Sequence, residues 1–144
     1  MPVMSGRIEM KRILIVEDDM VSRKFLMKYL NQYGDCDLVV DGLEAIDAYL
    51  LALKDGLPYE LICLDVMMPK IDGIQVLKTI RDLERQNNVP ENETSKIIMT
   101  TVLGETQIVQ SAFDFGCNAY ASKPLDMTKL TEVLGKIGFI DELV

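Results

Sequence analysis

The chain has no histidine. That absence excludes a histidine-based catalytic triad, histidine-bound zinc and a phosphohistidine carried by this chain itself. Cysteine is scarce. Cys36, Cys63 and Cys117 are odd in number and show no C-x-x-C spacing. They read as small buried hydrophobes in a reducing, cytoplasmic setting, not as a disulfide framework or a thiolate metal site. No apolar run is long enough to span a bilayer, and Met1–Met10 lacks the apolar core of a signal peptide. An excess of positive charge is missing too. Fifteen Lys plus Arg face 23 Asp plus Glu, for a net charge of -8. Neither nucleic acid nor an anionic membrane is therefore expected as a direct partner.

What is present is a regular alternation. The 144 residues are enough for one domain with an adequate core. Five short apolar runs read as strands: Arg12–Val16, Asp37–Val40, Leu61–Leu64, Lys96–Thr101 and Ala119–Ser122. Helical patterns separate them. Val21, Phe25, Leu26, Tyr29 and Leu30 stripe the first, about Met20–Gln32. Leu43, Ile46, Leu50 and Leu53 stripe the second, which stops at Gly56. Ile74, Leu77, Ile80 and Leu83 follow Asp72-Gly73. Ile108, Val109, Ala112 and Phe113 lie in the fourth, about Glu105–Phe115, with Gly116 as its stop. Asp126 caps the fifth, Leu125 and Leu130 are spaced as a hydrophobic staple, and Leu130, Val133, Leu134 and Ile137 form its core face. Arg85–Ser95 reads as a long, mobile surface loop. Such β-α alternation predicts an α/β fold: a five-stranded, doubly wound parallel sheet with helices on both faces.

The carboxyl ends of parallel strands carry the sites of open α/β sheets. Here the first strand ends in Glu17-Asp18-Asp19 and the third in Asp65. Carboxylates gathered there repel one another and remain ionised together only around a cation. A hard, oxygen-seeking ion is expected, Mg²⁺ or alternatively Mn²⁺. Thr101 closes the fourth strand, and Lys123-Pro124 follows the fifth, at the same edge. Asp72-Gly73 reads as a turn or helix cap. Asp19 suits the positive end of the first helix.

In order and spacing, V-E-D-D, D-V-M-M-P-K-I-D-G, a strand-ending Thr and S-K-P resemble the receiver domain of two-component response regulators. The resemblance runs from Lys11 to about Gly138 and is closest to the stand-alone, chemotaxis-type form. It implies a flavodoxin-like strand order 2-1-3-4-5, a loose leader at residues 1–10 and a receiver domain over 11–144. It also implies roles. Asp65 matches the phosphoryl acceptor, Asp18 the direct metal ligand, Glu17 the acid that acts through water, and the Met67 backbone carbonyl a third protein ligand. Lys123 matches the lysine that pairs with the phosphoryl group, ahead of a cis Lys-Pro bond. Thr101 matches the hydroxyl that turns toward the phosphoryl group, and Tyr120 the aromatic that swings inward on activation. The implied donor is a histidine kinase or histidine phosphotransfer protein, docking near Met27. The implied output is a separate protein reading the fourth helix, fifth strand and fifth helix of a monomer or weak dimer. Such a domain catalyses only its own phosphorylation and dephosphorylation.

Two departures stand out. Val102 follows Thr101 where the family usually has Ala or Gly. Met67 and Leu103, at positions that tune self-dephosphorylation, are apolar and cannot orient a water, so a slow-decaying phosphoryl state is expected. Two rival readings remain: a receiver-like module that ignores phosphorylation, and a Mg²⁺-dependent phosphatase with an aspartate nucleophile.

Overall fold

Each strand of the computed structural model runs parallel to its neighbour, and side-chain alternation sorts the apolar residues onto two faces. The described residues are 11–68, 70–102 and 106–141, without the side chains of Thr106 and Ile108. The expected leader, Glu105 and Leu103 lie outside them. The strands are β1 (Lys11–Val16), β2 (Gly34–Val39), β3 (Leu61–Asp65), β4 (Lys96–Val102) and β5 (Ala119–Lys123), in the order β2-β1-β3-β4-β5. The helices are α1 (Met20–Leu30), α2 (Gly42–Lys54), α3 (Gly73–Gln86), α4 (Thr106–Asp114) and α5 (Met127–Lys136). Ile13, Ile15 and Cys63 pack beneath Leu26, Leu30 and Leu134 on the α1/α5 side. Leu14, Ile62 and Met99 pack against Tyr49, Leu77 and Ile80 on the other.

Much of the acid excess builds helix starts. Asp19, Asp41, Asp72 and Asp126 each cap a helix by accepting from a backbone N–H three residues on. A cap of this kind contributes about 1 kcal/mol. Those hydrogen bonds hold the Asp19 and Asp41 carboxyls below the usual range.

Several expectations from sequence fail in detail. Strand β2 begins at Gly34, not Asp37, because it pairs along all of β1 from Lys11↔Gly34, and an edge strand needs no continuous apolar run. In α2 the buried face is Gly42, Ala45, Tyr49 and Ala52, while Leu43 and Leu50 are exposed. The start of the helix lies close against the loop after β3: a Cβ on Gly42 would stand 2.5 Å from the Ile71 carbonyl oxygen. Val21 is 77% exposed because the first turn of α1 overhangs the sheet edge. Phe113 is also exposed and meets the Tyr120 ring edge-on. The segment from Arg85 is tethered. Helix α3 continues to Gln86, Val89 N–H donates to the Glu84 carbonyl, Glu91–Glu93 forms a 3-10 turn, and buried Ser95 is tied to the Glu84 carboxylate.

Candidate functional site

Strand alternation sets the composition of the carboxyl edge. Glu17 continues the phase of Ile13 and Ile15, and Asp65 that of Leu61 and Cys63. Thr100 keeps the phase of Ile98, and Lys123 that of Ala121. All four therefore belong to the α1/α5 face. The last β1–β3 pair is Val16↔Leu64, so one further step sets Glu17 beside Asp65. Thr101 and Tyr120 share the opposite phase, with Met99.

The structure brings Lys123, Glu17 and Asp65 into direct contact. Lys123 Nζ lies 3.0 Å from Glu17 Oε1, 3.1 Å from Oε2 and 3.2 Å from Asp65 Oδ2. Carboxylate oxygens of Glu17, Asp18 and Asp65 lie within 4.8 Å of one another. Glu17 and Asp65 are buried and Asp18 is exposed. Backbone amides serve both buried acids: Asp19 N–H donates to Glu17 Oε2 at 3.0 Å, and Met67 N–H to Asp65 Oδ1 at 3.2 Å. A cleft of about 620 Å³ opens above them, lined by Asp18, Asp65 and Lys123 and by apolar Val21, Met67 and Val102. Met67 is 60% and Val102 55% exposed. Thr101 is buried, its Oγ1 lying 3.4 Å from the Val102 carbonyl oxygen. Tyr120 is exposed, away from the acids. Met27 packs at the margin of the α1/α5 cluster. The Lys123-Pro124 bond is cis.

Charge is unbalanced. Three carboxylates face one ammonium, and a pair of charges at such separations repels by about 3 kcal/mol at an effective dielectric near 20. Burial pushes the Glu17 carboxyl up to about 7, with the neighbouring Asp65 adding to the rise. Burial opposes the charge on Lys123, but the hydrogen bond to Glu17 and the Asp65 and Glu17 charges outweigh it and hold its pKa above the usual value. Glu17 Oε1 is buried and, among the described residues, has no hydrogen-bond partner beyond its ion pair with Lys123. An all-oxygen donor set, two surplus negative charges and an orphaned acceptor fit a hard divalent cation.

Sequence reasoning passed over three contributors. Gly73 lets the start of α3 sit against the end of β3: a Cβ there would stand 2.2 Å from the Asp65 carbonyl oxygen. Lys70, at φ 71°, pairs with the α2 cap Asp41 at 3.2 Å and ties the loop after Asp65 to α2. Thr100 stands in register with Asp65. Only the Asp72-Gly73 dipeptide hinted at the first, and nothing local marks the other two.

The model of the response regulator receiver domain matches residues 13–135. The chain belongs to that family, and hence to the signalling modules of two-component systems. The chemotaxis protein CheY of Treponema pallidum is 30% identical over 128 residues, covering 88% of this chain and 81% of that one. The osmosensing histidine protein kinase SLN1 of Saccharomyces cerevisiae is 33% identical over 126 residues, covering 85% of this chain. The chain spans only 10% of that kinase and 46% of the Synechocystis regulator RpaA. Among solved structures, the CheX–CheY–BeF3–Mg complex of Borrelia burgdorferi aligns at a TM-score of 0.76 and 27% identity, covering 91% of this chain and 90% of that one. The receiver domain of Ssk1 with the histidine phosphotransfer protein Ypd1, from Saccharomyces cerevisiae, aligns at 0.76 and 27%, covering 96% of both. Among the described residues no helix is long and apolar enough to cross a membrane.

Proposed function

We propose that Asp65 accepts a phosphoryl group from a phosphohistidine on a separate histidine kinase or phosphotransfer protein, and that this switches the surface offered to an output protein. The observation that carries the reading is Lys123 Nζ held between Asp65 and Glu17 within a cluster of three carboxylates. A carboxylate oxygen of Asp65 bonds to phosphorus as the P–N bond of the donor breaks, its electron pair going to the imidazole nitrogen. Carboxylate is a weak nucleophile, so the site works by position and charge. Lys123 swings from the acids to a phosphoryl oxygen. Asp18, Asp65, the Met67 carbonyl and, through water, Glu17 would hold Mg²⁺ or Mn²⁺, which supplies charge neutralisation. The similarity to a receiver domain bound to a phosphotransfer protein supports the donor class. The domain acts only on itself.

Thr101 turns toward the added group, and Tyr120 moves into the space it leaves. The exposure of Phe113, Tyr120 and Met127 supports the α4-β5-α5 face as the one that changes. Apolar Met67, at the cleft mouth, and apolar Leu103 cannot orient an attacking water by hydrogen bonding, so the acyl phosphate decays slowly.

Incubation with Mg²⁺ and acetyl phosphate tests the whole reading. Intact mass rises by one phosphate in the wild type and not in Asp65→Asn. The gain outlasts removal of the phosphodonor by minutes, and tyrosine fluorescence changes in the wild type but not in Thr101→Ala or Tyr120→Phe. Absence of the mass gain, or its survival in Asp65→Asn, removes Asp65 as acceptor. Decay within seconds refutes the slow state.

A further inference from the structure

Thr100 is 1% exposed. Its Oγ1 is buried and has no hydrogen-bond partner among the described residues. A hydroxyl stripped of water and left unpaired destabilises a fold, and valine would fill nearly the same volume without that cost. The location is specific. Thr100 pairs with Asp65 on one side and Ala121 on the other. By alternation it stands on the same face as Glu17, Asp65 and Lys123. Its backbone carbonyl accepts from Val66 N–H at 3.0 Å, which fixes the two strands together at this level. Neighbouring strands lie about 4.8 Å apart, so a same-face side chain in register is within reach of a χ1 rotation.

The demand for a donor arises beside it. At present Asp65 Oδ1 accepts from Met67 N–H and Oδ2 from Lys123. Once a phosphoryl group bonds to one oxygen and draws Lys123 away, the carboxyl group loses its strongest donor in a site closed to water from below. We propose that Thr100 is a positioning residue of this site, whose hydroxyl turns to donate to the Asp65 carboxyl group when Lys123 leaves it. The inference rests on the reading of Asp65 as phosphoryl acceptor. It assigns to the site a second hydroxyl, distinct from Thr101 in strand phase and face. It also explains why an unpaired polar group persists in the middle of an otherwise apolar strand floor.

The test compares wild type, Thr100→Val, Thr100→Ala and Thr100→Ser with Mg²⁺ and acetyl phosphate. Removing the hydroxyl slows phosphorylation several-fold, up to about tenfold, the loss expected for one hydrogen bond to an acyl oxygen. In the same variant, thermal unfolding of the metal-free protein moves upward for Thr100→Val. Thr100→Ser keeps the wild-type rate. Isotope-edited infrared spectra give a readout that packing alone would not move: the Asp65 acyl C=O stretch lies higher in Thr100→Val and Thr100→Ala than in wild type and Thr100→Ser. Thr100→Ala guards against a special packing effect of valine. Wild-type rate and stretch in both hydroxyl-free variants overturn the inference while leaving Asp65 as acceptor. A wild type that takes up no phosphoryl group overturns the acceptor reading, and this inference with it.

Discussion

Among the described residues, two buried clusters of charge are built on opposite plans. On α3, Arg81 and Glu84 pair at 2.6 Å with little exposure of either side chain. Every direction is used. Glu84 Oε2 accepts from Ser95 N–H at 2.8 Å, Arg81 Nε donates to the Gly116 carbonyl at 3.0 Å, and Arg81 Nη2 donates to Asn118 Oδ1 at 3.1 Å. That same Asn118 oxygen accepts from Ile97 N–H. One positive charge meets one negative charge, and the network ties α3 to the start of β4 and the turn before β5. At the carboxyl edge three acids meet one lysine, Glu17 Oε1 is short of a donor, and the Thr100 hydroxyl beside Asp65 has none among the described residues. The first cluster is finished and does structural work. The second leaves negative charge in excess and buried polar atoms unmatched among the described residues.

The contrast predicts opposite responses to removing an acid, and the largest effect belongs to the finished cluster. Glu84→Ala leaves Arg81 buried without its partner and frees Ser95 N–H. Breaking a buried pair in this way costs about 3–5 kcal/mol, so the urea midpoint falls sharply. A change below 1 kcal/mol would show that the network is not needed to hold the strands. An intermediate effect is expected at Gly73, where β3 and α3 touch. With a Cβ 2.2 Å from the Asp65 carbonyl oxygen, Gly73→Ala must push backbone from backbone. About 3 kcal/mol of stability is lost, and uptake of phosphate from acetyl phosphate drops with it because Asp65 is displaced. Unchanged uptake in that variant would mean the loop absorbs the shift without moving Asp65.

The difference between the clusters also marks what the sequence made legible. The gathering of Glu17, Asp18, Asp65 and Lys123 follows from acids and a lysine standing at the carboxyl ends of parallel strands, while the strand order came from the resemblance to receiver domains and is the one observed. The Arg81–Glu84 network was not legible. Its members lie in polar stretches that read as solvated surface, and only the close approach of three elements buries them. The Leu43 and Leu50 stripe misled for the converse reason. Helix periodicity reports which residues share a face, and Ala45, Tyr49 and Ala52 form an equally periodic face that tight packing against Ile71 selects. Thr100 carries no local sign at all, since its meaning comes from the strand register with Asp65.

The smallest effect sharpens the idea that the acidic cluster is incomplete alone. Burial lifts the folded-state Glu17 carboxyl from 4.5 to about 7. Between those values the folded protein keeps a proton that the unfolded chain has released, so folding is favoured by acid. This contribution is fully present below about pH 4.5 and is lost as pH rises through 7. In EDTA, the melting temperature of the wild type should fall from pH 5 to pH 8 relative to Glu17→Gln, which has no proton to lose. Saturating Mg²⁺ should reverse the slope, because the cation competes with that proton and binds best where the carboxyl is ionised. Parallel pH profiles for wild type and Glu17→Gln, with and without the ion, would mean that the surplus charge at the sheet edge is already accommodated. The distinction between the two clusters would then fail.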